Sequence, residues 1–143
     1  MKKLLTGLFF LGSLSSFAGS LHVEPNDDIS LISMDSKIKL NKNINIKPTI
    51  QDNLISQGNG LRCIIRVASA ENYDRVIKKD KELRINKFDR HKGNNWFYVA
   101  FDHDVIRAVV CSGKSANKTT YQEFKDLNSD VFTLIDFDPV IID

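Results

Sequence analysis

The stretch that most constrains the fold is residues 96–110, WFYVAFDHDVIRAVV, in which a short polar break separates two strongly apolar runs. Runs of this length, rich in aromatic and β-branched residues and joined by a tight break, are typical of a β-hairpin. A two-residue loop at positions 103 and 104 would align the apolar positions, whereas a three-residue loop would place the charge of Arg107 in the core at high cost. The tight hairpin is therefore preferred. It puts six residues on one apolar face: Phe97, Val99, Phe101, Ile106, Ala108 and Val110.

The polar break itself, Asp102, His103 and Asp104, is a weak candidate for a metal or acid/base site. Two carboxylates and an imidazole can contact an ion, but zinc normally takes three or four protein ligands and calcium six to eight oxygens. The remaining histidines, His22 and His91, are isolated in the sequence and complete no such set. A solvated turn is the simpler interpretation, because Asp and His tolerate the backbone angles of tight loops.

Other segments also follow the two-residue period of β-strands. Between residues 36 and 50, isoleucine and leucine occupy even positions and lysine and asparagine mostly odd ones, with Lys42 as an exception. The turn signal SQGNG at 56–60 is followed by LRCIIRV, in which apolar residues alternate with arginine. We therefore predict a mainly β fold, a small barrel or sandwich of about six strands. An α+β fold is the second choice.

One short helix is expected near the C-terminus. Thr120 and Glu123 have the spacing of a capping box, in which each side chain accepts a backbone N–H of the first helical turn. Tyr121, Phe124 and Leu127 then share one apolar stripe at helical spacing. The pattern predicts a single helix laid over the sheet.

The two cysteines, Cys63 and Cys111, each lie inside an apolar run of strand-like composition. An even pair in an oxidising compartment most simply forms one disulfide, and closing a loop of this length stabilises the fold by roughly 4 kcal/mol. The alternative is two separate buried thiols that act as small apolar side chains. A redox-active pair is disfavoured, because the sequence lacks the C-x-x-C spacing that lowers a thiol pKa.

The N-terminal residues 1–18, MKKLLTGLFFLGSLSSFA, have the pattern of a cleaved secretory signal of bacterial type. Two lysines precede an apolar run that is shorter than the roughly 20 residues a membrane-spanning helix needs, and small residues occupy the cleavage positions. We therefore expect an exported protein, in the periplasm or outside the cell, with no transmembrane segment in the mature chain. Residues 19–35, acidic and weakly patterned, are expected to form a flexible arm, and residues 36–143 a single β-rich domain.

Charge provides the main functional signal of the sequence. Without Lys2 and Lys3 of the signal segment, the 20 basic residues fall to 18, which equals the 18 acidic residues and argues against a surface built for nucleic acid. Residues 75–92 nevertheless contain eight basic and three acidic residues, with Phe88 and Trp96 close by. A solvated outer face of strands is the simpler interpretation, and a patch for an anionic envelope component, a glycan or a protein is the functional alternative. The patch residues are Arg75, Lys78, Lys79, Lys81, Arg84, Lys87, Arg90 and Lys92.

Catalysis has little support in the sequence. The chain has no G-x-S-x-G elbow, H-E-x-x-H pair, phosphate-binding loop or dinucleotide fingerprint, and nothing in it implies a cofactor. We therefore expect a non-catalytic binding, inhibitory or structural domain that is braced by one disulfide. The alternative is a small secreted hydrolase whose carboxylates converge only in the folded protein.

Overall fold

The computed structural model describes residues 23–47, 52–68 and 75–135. This part of the chain contains nine β-strands, one α-helix and three short 3-10 turns. The strands are β1 (Lys37–Leu40), β2 (Ile44–Ile46), β3 (Asp52–Gly58), β4 (Leu61–Val67), β5 (Arg75–Ile77), β6 (Glu82–His91), β7 (Trp96–Phe101), β8 (Ile106–Ser112) and β9 (Phe132–Ile135). The helix, α1, spans Tyr121–Leu127, and the 3-10 turns span Ile29–Leu31, Lys92–Asn94 and Ala116–Lys118. The predicted signal segment 1–18 lies outside the described residues.

Seven of the strands form one curled, half-barrel sheet in the order β3-β4-β8-β7-β6-β1-β9, with antiparallel neighbours throughout. The other two, β2 and β5, pair with each other as a small separate ribbon. The mainly β fold with one short helix near the C-terminus is thus confirmed. The number of strands is higher than the expected six, because β2 and β5 are only three residues long and leave a weak trace in the sequence. Within the described residues, no helix has the length and apolar character needed to cross a membrane.

The core fills the concave side of this sheet, and α1 covers it. Thr120 and Glu123 form the predicted capping box: the Thr120 hydroxyl accepts the Glu123 N–H, and the Glu123 carboxylate accepts the Thr120 N–H. This cap starts the helix and directs its apolar face inward. Phe124, fully buried, contacts the rings of Phe97 on β7 and Phe132 on β9. The helix therefore ties the middle of the sheet to its last strand.

The segment before β1 belongs to this core. Ile29 and Ile32 are buried, and the Ile29 N–H donates to the Thr119 carbonyl just before α1. Asp28 accepts a hydrogen bond from the Arg90 side chain at 2.7 Å. Over its described part, residues 23–35, the expected arm contacts the core, because two isoleucines among its acids provide apolar surface. Its flexibility and its boundary at residue 35 stay predictions.

The β7–β8 hairpin forms, but with a different register from the predicted one. Val99 lies opposite Val109 and Ala100 opposite Ala108, so Ala108 and Val110 face away from the core. The pairs that β8 makes with β4 skip Arg107, so Arg107 is the extra residue of a β-bulge. Its side chain is exposed. The assumption of regular alternation was wrong here, because the bulge removes Arg107 from the core without requiring a two-residue loop.

The predicted disulfide is confirmed. Cys63 on β4 lies directly opposite Cys111 on β8, with their Cα atoms 4.1 Å apart, and their sulfur atoms are bonded. Both residues are fully buried, and the Asn128 side-chain amide lies 3.8 Å from the Cys63 sulfur. The bond therefore crosses two neighbouring strands in the interior of the sheet.

Candidate functional site

The three polar residues at the tip of the β7–β8 hairpin have separate partners. Asp102 accepts a 2.7 Å hydrogen bond from Arg84, while Asp104 lies 3.8 Å from Arg75 and is largely exposed. Across the described residues, no three His, Cys, Asp or Glu side chains are grouped so that they could hold a metal ion. The tip residues Asp102, His103 and Asp104 therefore form two surface ion pairs and a turn, with no shared centre.

His103 stabilises that turn through its ring. Its Nδ1 atom accepts the backbone N–H groups of Val105 and Ile106 at 3.1 and 3.0 Å, which requires an unprotonated nitrogen. Asp104 approaches the same nitrogen at 3.4 Å, but the lone pair already accepts the two N–H groups, so the contact is not an ion pair. Burial lowers the pKa of His103, and the nearby cations of Lys81 and Arg75 lower it further against the opposing charge of Asp104.

The arginines of the predicted basic patch are neutralised. Arg84 contacts both Asp102 and Asp35, and Arg75 faces Asp104. Arg90 does not lie on the surface: only 10% of its side chain is exposed, and its guanidinium packs beside Phe88 and Phe97 while it pairs with Asp28. Arg90 is therefore removed from the patch, because it supports the core.

A second β-bulge explains the position of Arg90. The register between β6 and β7 shifts by one residue at Asn86, between Ile85 and Lys87. An extra residue exchanges the two faces of the strand beyond it, so Lys87 points outward while Phe88 and Arg90 point towards the core. Simple alternation from the start of β6 would have placed Arg90 with Arg84 on the outer face.

Four lysines gather where the β1–β2 turn meets the β5–β6 turn. The Leu40 N–H donates to the Lys81 carbonyl, the Asp80 N–H donates to the Leu40 carbonyl, and the Lys79 N–H donates to the Asn43 side chain at 2.7 Å. We call this group the lysine corner, and all four side chains are exposed. Its members are Lys42, Lys78, Lys79 and Lys81.

The acid within this corner already has a partner. Asp80 lies 3.8 Å from Lys39, which belongs to β1 and is not one of the four. None of the four lysines makes an ion pair with a described residue, so their charges add at one end of the sheet. Sequence analysis found Lys78, Lys79 and Lys81 but missed Lys42, which joins them through the pairing of β2 with β5 and the hydrogen bonds between the two turns.

Two further patch residues lie elsewhere. Lys87 is on the outer face of β6, 5.8 Å from the centre of the Tyr98 ring, and Lys92 is exposed in a 3-10 turn at the opposite end of the sheet. Trp96 also faces outward and stacks on His91 at 4.0 Å, whereas Phe88 packs inward on Phe97. The predicted aromatic edge therefore consists of Trp96 alone and is separate from the lysine corner.

A groove of about 610 Å³ opens beside α1 at the end of the sheet opposite the lysine corner. This volume falls in the range of sites for small molecules or peptide side chains. Its walls are the end of β3 with the β3–β4 turn, the loop after β8 and the outer side of α1. The lining residues are Gln57, Gly58, Asn59, Leu61, Ser115, Lys118, Thr119, Glu123, Asp126 and Leu127.

Comparisons with protein-family models, with curated proteins and with solved structures find no match to this chain. Functional inference therefore depends on the geometry of the described surfaces.

Proposed function

We propose that this protein is an exported, non-catalytic binding domain that recognises an anionic polymer through the lysine corner. The observation that carries the proposal is the meeting of two turns that present four lysines with no acidic partner among the described residues. Like charges held together repel one another, so such a cluster has an electrostatic cost that a polyanion relieves. The arginines of the same sequence region are paired with carboxylates, which is usual for cations in a folded protein, whereas the lysines of the corner are not.

The chemistry of lysine defines the class of ligand. An ammonium group is a compact point charge without the fixed geometry of a guanidinium, so it tolerates phosphate, sulfate and carboxylate groups alike. A repeating anion with flexible spacing, such as an acidic glycan of the cell envelope, suits four lysines on two turns. Binding of this kind weakens steeply with salt, because an exposed charge is screened beyond about 10 Å at 0.1 M ionic strength.

The test uses the folded, oxidised protein and three immobilised polymers: lipopolysaccharide, peptidoglycan and DNA. We expect binding at about 50 mM salt that falls roughly tenfold or more by about 200 mM, as is usual for multi-charge contacts. The variant Lys78→Glu/Lys79→Glu/Lys81→Glu should lose it. The control Lys92→Glu/Lys114→Glu/Lys118→Glu makes the same charge change on exposed residues of the other end and should retain binding. Absence of binding at low salt, or equal loss in both variants, would rule out the corner.

Export is a separate part of the proposal and has its own measurement. The signal pattern of residues 1–18 and the disulfide between Cys63 and Cys111 both fit an oxidising compartment outside the cytoplasm. Intact mass of the protein from its native cells should correspond to a chain that begins at Gly19 and accepts alkyl groups only after reduction. A full-length chain with two freely alkylated thiols would contradict export.

A second candidate function, a small secreted hydrolase, draws on the groove beside α1, where Glu123 and Asp126 both line the wall. Both carboxylates already have structural partners: Glu123 accepts the Thr120 N–H, and Asp126 accepts the Gln122 side-chain amide at 2.6 Å. These contacts favour binding over catalysis. Release of reducing sugar from envelope glycans by the wild type, and its loss in Asp126→Asn, would reverse the preference.

A further inference from the structure

Within the described part of the chain, strand β3 forms one open edge of the seven-stranded sheet. The last pairs that it makes with β4 show which of its backbone groups point to that edge. Gly58 pairs with Leu61 across the two-residue turn Asn59-Gly60, whose positive φ angles of 53° and 78° suit such a hairpin. The hydrogen-bonded and non-hydrogen-bonded pairs of an antiparallel ladder alternate, so Gln57 belongs to a non-hydrogen-bonded pair. Its N–H and C=O therefore point away from β4, towards the open edge, and neither bonds to any other described residue.

The groove lies at this same edge. Gln57 forms one wall and α1 forms the other, with Leu61 and Leu127 as its apolar surfaces. Glu123 and Asp126 lie on the helical side and Lys118 lies just before the helix, so two acids and one base leave the lining with a net charge of −1. The volume of the groove, about 610 Å³, lies in the range of ligand-binding sites. An extended chain placed in the groove would thus have backbone partners on one side and carboxylates on the other.

Apart from one β-bulge, the rest of β3 lacks the devices that usually protect an exposed edge. Its sequence, DNLISQG, contains neither lysine nor proline, and its one charged residue, Asp52, lies at the far end. Leu54 is 53% exposed on the outer face. A bulge between Leu54 and Ser56 interrupts the regular edge. An added strand could therefore pair regularly only with the end of β3 that borders the groove.

We propose that this groove binds an extended peptide segment carrying a basic side chain, which adds to β3 as a further strand. Backbone pairing at Gln57 selects an extended chain, and the carboxylates of Glu123 and Asp126 select a lysine or arginine on the incoming strand. This site is independent of the lysine corner. The groove lies at the end of the sheet where Arg62 pairs with Ser112. At the other end of β4, Val67 pairs near the hairpin tip, and this is the end of the sheet that carries the lysine corner.

The experiment uses a synthetic pentapeptide of alternating valine and lysine, capped at both ends and labelled with fluorescein, with the oxidised full chain. Gln57→Pro removes the outward N–H together with the side-chain amide, and proline is tolerated where a strand's N–H faces open solvent. Gln57→Ala is the matched control that removes the side-chain amide and keeps the N–H. Asp126→Lys replaces one of the two carboxylates of the helical wall by a cation without touching the capping box.

We expect fluorescence anisotropy to detect binding of the lysine peptide to the wild type. Its dissociation constant should rise about tenfold or more in Gln57→Pro and in Asp126→Lys, and less than about threefold in Gln57→Ala. A peptide that is N-methylated at alternate amides should fail to bind the wild type, which tests backbone pairing even if Gln57→Pro does not fold. A glutamate version of the peptide should not bind. Equal affinity for the methylated peptide, or no binding of the lysine peptide at low salt, would overturn the proposal.

Discussion

Reduction of the disulfide should remove a large part of the stability of this protein. The bond between Cys63 and Cys111 joins residues 48 apart in the sequence, and the loss of unfolded-chain entropy for a loop of that length corresponds to about 4 kcal/mol. A domain of this size is stable by only about 5 to 15 kcal/mol. The reduced protein should therefore remain folded with a thin margin, and its melting temperature should fall by on the order of 10–20 °C.

Urea denaturation measures this effect, with Trp96, the single tryptophan, as the fluorescent reporter. Reduced and oxidised wild type have almost the same packing atoms, so their difference isolates the cross-link from the cost of a cavity. The m value should rise slightly on reduction, because an unfolded chain without the cross-link exposes more surface. The variant Cys63→Ala/Cys111→Ala should be insensitive to reductant. A loss below about 1 kcal/mol on reduction would refute the entropy argument and imply that the unfolded chain already holds β4 near β8.

Three other perturbations test the packing and the turn. Because the pKa of His103 is lowered in the folded state, the unfolded chain takes up a proton at this residue first as the pH falls. The contribution of His103 to the free energy of unfolding in urea should therefore be fully present above about pH 6.5 and decline below it. His103→Asn keeps a side-chain acceptor that does not titrate and should flatten this slope; an unchanged slope would exclude His103 as its source. Phe124→Ala should lower the free energy of unfolding by about 3–5 kcal/mol, while Leu31→Ala, at a position 58% exposed, should change it by less than about 0.5; similar losses would contradict the assignment of the core. The free energy of unfolding of Arg90→Met should stay within about 1 kcal/mol of the wild-type value in thermal and urea unfolding, because two buried nitrogens of Arg90 lack partners and water can hydrate Asp28 in the variant. A loss above about 3 kcal/mol would mean that the ion pair is essential.

Local sequence signals predicted the features that depend on a few neighbouring residues. The capping box at Thr120 and Glu123 and the mainly β fold follow from residue type and spacing, and the structure has both. The turn predicted at 56–60 is present but shorter, because β3 continues through Gly58 and only Asn59 and Gly60 form the turn. The disulfide was also predictable, because two cysteines in strand-like runs of a chain with a secretory pattern have one simple pairing. In each case the physical cause acts over a short stretch or has few alternatives.

The errors arose where one extra residue or a distant pairing changes the outcome. The bulges at Arg107 and Asn86 exchange the faces of β8 and β6, and regular alternation contains no sign of an inserted residue. The same effect moved Arg90 from the predicted patch into the interior. Lys42 joined the lysine corner through the pairing of β2 with β5, and two strands of three residues carry too little pattern to reveal their partners.

The placement of β1 between β6 and β9 affects how the chain can acquire its fold during synthesis. Lys37 pairs with Arg84 on one side and with Ile135 on the other, so β1 gains its second neighbour only when almost the last described residue has been made. Contacts between such remote positions give a high contact order, and chains of that kind fold slowly. A nascent chain would therefore remain open along this seam until β9 has been made, because early folding cannot close the seam before that strand exists.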